Sequence, residues 1–101
     1  SKPDTGAKPG ETPWLWNVVL LDDNQHTDNY VIKMMQELFA HPPEVGAKLA
    51  EMVDKEGRVI VQTTHKELAE LKRDQIHAYG KDPQLADSRG SMKAIIEPAT
   101  K

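Results

Sequence analysis

The sequence predicts a two-layer α/β (α+β) sandwich: a three-stranded sheet with three helices on one face, in the order βααβαβ. Three observations lead there. Short, largely apolar and β-branched runs occur at 16–21, 58–63 and 92–97. Segments with apolar residues at helical spacing fill 28–40, 43–56 and 65–79. Helix and strand stops (Pro42, Pro43, Gly57, Gly80 and Pro98) fall at the joints.

Residues 1–13 hold Pro, Gly, Lys and Thr but no large apolar side chain, so burial cannot offset their ordering entropy. They are expected to form a disordered tail, leaving 14–101 as the one domain. Trp16 to Leu21 reads as a buried strand and Asp22 to Asp28 as a polar loop. In the first helix Tyr30, Val31, Met34, Met35, Leu38 and Phe39 make one apolar stripe, capped by Thr27 or Asp28. Pro42 and Pro43 end that helix and open the next, whose inner face is expected to carry Val45, Leu49, Met52 and Val53. Gly57 stops it. After the strand from Arg58 to Thr63, Thr64 and Glu67 have capping-box spacing. The third helix should turn Leu68, Leu71, Gln75, Ile76 and Tyr79 inward. A loop from Lys81 to Ser91 leads to the last strand.

Composition excludes several function classes. A net charge of −3 lacks the basic face that nucleic-acid binding needs. The absence of cysteine removes disulfides and thiolate zinc sites. No apolar run reaches the ~18–20 residues that span a bilayer, and the N-terminal stretch lacks the apolar core of a signal peptide. A cytoplasmic protein with no membrane or nucleic-acid partner is expected.

The acidic loop 22–28 could offer oxygens to calcium, but Thr27 and Lys33 stand where an EF-hand loop needs Gly and Glu. No metal site is expected. His26, His41, His65 and His77 have no ligand spacing and read as surface or capping residues. Trp14 and Trp16 read as packing aromatics, and Met34, Met35 and Met52 as core. There is no phosphate loop, no GxSxG and no cofactor motif. The residues alone describe a small α/β binding module that is not an enzyme.

The stretch from Trp16 to Tyr79 resembles the ClpS family. That family runs an apolar strand, an Asn-Asp-Asp loop and an amphipathic helix with Phe/Tyr-Val near its start. Here these are Val18-Val19-Leu20-Leu21, Asp22-Asp23-Asn24 and Tyr30-Val31. The family's Val-His-x-x-Gly-Arg/Lys is matched by Val53-Asp54-Lys55-Glu56-Gly57-Arg58, and its Glu-x-Ala-Glu-x-Lys by Glu67 through Lys72.

The resemblance implies an adaptor that docks on the N-terminal domain of a ClpA- or ClpC-type AAA+ unfoldase. Its docking acid and lysine fall on Glu67 and Lys72, both expected to reach solvent. It also implies protein substrates or peptides with a free N-terminus, held at Asp22, Asp23, Asn24, Asp28 and Asp54. This chain departs from the family there: Asp22 replaces Asn, Asn24 replaces Asp, Asp54 replaces His, and Asp28 and Ala50 stand where Met is common. Carboxylates are strong acceptors for an α-ammonium, but an apolar side chain beside Asp28 would desolvate that charge. A basic first residue fits better than Leu, Phe, Tyr or Trp. Two other readings remain: a ClpS-like docking or inhibitory module that has lost degron binding, and a ribosomal-stalk-like domain.

Overall fold

A computed structural model describes residues 14–23, 25–80 and 90–99. The expected tail at 1–13, Asn24 and most of the 81–91 loop lie outside the described residues. The elements follow the predicted order: β1 (Trp16–Leu21), α1 (Asp28–Phe39), α2 (Pro43–Glu56), β2 (Arg58–Thr64), α3 (Lys66–His77) and β3 (Lys93–Pro98). β1 is central and pairs antiparallel with β2 and with β3. An irregularity between Val18 and Val19 shifts the register against β2.

Alternation along the strands fixes which face is covered. Val18, Leu20, Val59, Val61 and Ala94 join the helical residues Tyr30, Val31, Met34, Met35, Ala50, Val53, Ala69 and Ile76 in one core. On the other face Ile60 and Ile95 flank Val19 and stay exposed. That face also carries the Arg58–Glu97 ion pair at 2.7 Å and a hydrogen bond from the Thr63 hydroxyl to Asn17 Oδ1 at 2.7 Å. The hydrogen bond from Arg58 is the main cause that holds the Glu97 carboxyl below its usual range.

Helix ends explain the boundaries. The Thr27 side chain accepts from the Tyr30 amide and caps α1. α1 closes at Ala40, which takes the left-handed conformation with φ 58°. Gly57, with φ 84°, closes α2 at no such steric cost. α3 departs from expectation. β2 keeps pairing through Thr64, opposite Trp16, so Thr64 stays in the ladder and no Thr64–Glu67 capping box forms. His65 is the cap instead, its Nδ1 accepting from the Leu68 amide.

The inner faces of α2 and α3 also differ from the predicted stripes. Val45 and Met52 are exposed, and α2 buries Gly46, Ala50 and Val53. The phase is set by a close approach to α1: a Cβ on Gly46 would stand 3.2 Å from the Ile32 Cα. Leu71 is half exposed, because α3 turns Ala69 and Ile76 to the core on its far side.

Candidate functional site

The loop after β1 is tied to the end of α2. The Asp22 amide donates to the Gly57 carbonyl at 3.0 Å, three residues beyond Asp54. This bond follows from β1 and β2 leaving the sheet together, since Leu21 pairs with Arg58. The loop acids therefore start beside the last turn of α2, where Asp54 is exposed. Asp22 and Asp23 are half-buried. Asp28 sits exposed in the first turn of α1, where a carboxylate suits the helix dipole.

Asp23 is already engaged. Its Oδ1 accepts from the Gln25 amide at 2.9 Å, an Asx-type turn. His26 Nδ1 stands 2.9 Å from Oδ1 and 2.8 Å from Oδ2 of the same carboxylate. The His26 side chain is only 3% exposed. Its Nε2 lies 2.6 Å from the Gly90 carbonyl, and its ring packs on Tyr30 with centroids 4.5 Å apart. The His26 side chain is thus interior, where a surface or capping residue was expected.

The same corner holds the far end of α3. The Tyr30 hydroxyl donates to the Gly80 carbonyl at 2.5 Å, and the Gly80 amide donates to Ser91 Oγ at 2.6 Å. Tyr79 stands edge-on to Tyr30 and donates its hydroxyl to Glu37. Burial, reinforced by the Glu37 carboxylate, pushes the Tyr79 phenol well above its usual range. Sequence periodicity gave no sign of this network, because its members are up to 64 residues apart.

The second candidate surface is the outer side of α3. Glu67 is exposed in the first turn, and Leu71, one turn on, is half exposed. Lys72 differs from expectation: it is half-buried, with its ammonium on the Leu38 carbonyl and 5.4 Å from the Phe39 ring centroid. The phase that exposes Leu71 turns Lys72 toward α1. Among the described residues no cluster of three or more His, Cys, Asp or Glu could hold a metal ion, and no helix is long and apolar enough to cross a membrane.

Residues 11–86 match the family model described as ATP-dependent Clp protease adaptor protein ClpS. The chain is 32% identical over 81 residues to the ATP-dependent Clp protease adapter protein ClpS of Vibrio atlanticus (strain LGP32), an alignment that covers 80% of this chain and 74% of the relative. In fold it is similar to Agrobacterium tumefaciens ClpS2, solved bound to L-phenylalaninamide. That match has a TM-score of 0.74 at 21% identity and covers 86% of this chain and 99% of the other.

Proposed function

The chain belongs to the ClpS family of Clp protease adaptors, and on that premise we propose that it docks on the N-terminal domain of a ClpA- or ClpC-type AAA+ unfoldase. There it modulates or delivers substrates for ATP-dependent proteolysis, with an altered N-degron preference. Docking uses the outer side of α3 at Glu67, with Leu71 as an apolar anchor and Lys72 at its edge. The substrate's α-ammonium enters between the loop at Asp22 to Asn24 and the end of α2 at Asp54.

The observation that carries the substrate reading is the Asp22–Gly57 backbone bond, which brings the acidic loop to the end of α2. The acids at 22, 23, 28 and 54 favour a cationic first residue. This differs from the aromatic ligand of the structural relative, L-phenylalaninamide, which has a free α-amine but an apolar side chain.

A second reading is supported by the engagement of Asp23 with His26 and Gln25. On this reading the chain has lost degron binding and acts as a docking or inhibitory module. Titration with matched peptides separates the two. A free-amine peptide starting with Arg or Lys should bind more tightly than one starting with Phe or Leu, and N-acetylation should abolish binding. Equal, weak binding of free and acetylated Arg peptides, with unfoldase docking retained, leaves the docking module.

A further inference from the structure

The Asp23 carboxylate, in the loop proposed to bind the amine, is held by more than its turn to the Gln25 amide. His26 contacts the Asp23 carboxylate at one ring nitrogen and the Gly90 carbonyl, 64 residues away, at the other. Both partners are acceptors, and a neutral imidazole has one N–H, so the neutral ring donates to one of them and only a ring with hydrogen on both nitrogens donates to both. The side chain is 3% exposed, so the contacts are shielded from water. The Tyr30 ring packs against the imidazole and limits its rotation. Tyr30 also holds Gly80 through its hydroxyl. The two glycines that bracket residues 81–89 are therefore both held from the N-terminal end of α1.

We propose that His26 is a positioning residue for the amine site. Its imidazole aims the Asp23 carboxylate and anchors it to Gly90, so the recognition loop is built on the start of the approach to β3. The inference rests on the amine-binding reading for its functional half and on the two ring contacts for its structural half. It accounts for a buried histidine that neither docking nor direct substrate contact requires.

Two substitutions divide the clamp. His26→Asn keeps a short donor that reaches Asp23 but not Gly90. His26→Gln places its donor near the Nε2 position, reaching Gly90 but not Asp23. His26→Ala removes both. Affinity for a free-amine Arg peptide should fall about tenfold in the Gln and Ala variants, the size of a lost charge-assisted hydrogen bond. The Asn variant, which keeps the Asp23 contact and loses only the Gly90 anchor, should fall between the parent and the Gln variant. Thermal melting of each variant checks that it folds.

NMR of the unliganded parent supplies a readout that needs no peptide: a slowly exchanging His26 Nε2 hydrogen with a coupling or NOE to Gly90. Equal affinity in all three variants overturns the positioning role. A missing Nε2 hydrogen overturns the clamp. A persistent Nε2 hydrogen in a parent that binds no free-amine peptide overturns the amine reading and retains the clamp as structure.

Discussion

The ammonium of Lys72 donates to the carbonyl of Leu38 and so closes the C-terminal end of α1 from a neighbouring helix. α1 has no basic residue in its own last turn, and its final carbonyls carry the negative end of the helix dipole. Lys72 answers that charge across the interface while its ammonium lies over the Phe39 ring.

This separates two residues that the resemblance pairs as one docking motif. Glu67→Lys should weaken unfoldase N-domain binding and cost up to about 1 kcal/mol in urea denaturation, since it reverses an exposed acid in the first turn of α3. Lys72→Met keeps the stem but loses the cap, and should cost about 1–2 kcal/mol in urea denaturation. Docking measured on Lys72 variants is therefore compared at equal folded fraction. A Glu67→Lys variant that docks like the parent would remove Glu67 from the interface.

Gly46 is where α1 and α2 come closest. A β-branched side chain there meets the Ile32 backbone, and the 3.2 Å that even a Cβ would find leaves no room for methyl groups. Gly46→Val should cost about 2–3 kcal/mol, as overpacking does when the obstacle is backbone. Denaturation with an unchanged m-value checks this, and a neutral effect would show that the helices separate freely.

Strand and helix order was legible because it depends on periodicities of two and 3.6 residues that local sequence carries. The phase of α2 was not, because the residues that set it, Gly46 and Ala50, are too small to count in an apolar stripe. Val45 and Met52 drew attention by size, yet they face outward. Pairing through Thr64 overrode a local capping signal for α3. At the proposed site, Asp22, its loop and Asp54 were suggested by resemblance, not by any local pattern. The His26–Gly90 and Lys72–Leu38 contacts were hidden, since each joins distant segments and neither requires a motif.

Tyr79 makes stability fall on the alkaline side. Burial and the bond to Glu37 hold its phenol above the usual value of 10.0. Between the unfolded and folded titrations the unfolded chain releases a proton that the native state keeps, so stability decreases as pH rises. The contribution is intact below about pH 10, the unfolded tyrosine value, and is lost progressively above it. Tyr79→Phe should flatten this part of the stability–pH curve and cost about 1 kcal/mol at neutral pH from the lost hydrogen bond. An identical alkaline slope in the variant would assign the effect to other groups.

Asp28 offers a direct test of what sets the first-residue preference. It lies exposed in the first turn of α1, downstream of the acidic loop, at a position where the resembled family commonly has Met. A carboxylate there attracts a cationic side chain and opposes the desolvation that an apolar one would impose. Asp28→Met removes both effects at once. The ratio of Arg-peptide to Phe-peptide affinity should fall about tenfold, which corresponds to one well-placed charge interaction. The free α-amine should remain essential, because its proposed acceptors at Asp22, Asp23 and Asp54 are untouched. Loss of a first-turn acid should cost about 0.3–1 kcal/mol of stability, so affinities are compared well below the melting temperature. A ratio unchanged by the substitution would place the substrate's first side chain away from Asp28 and move the source of any cationic preference to Asp54.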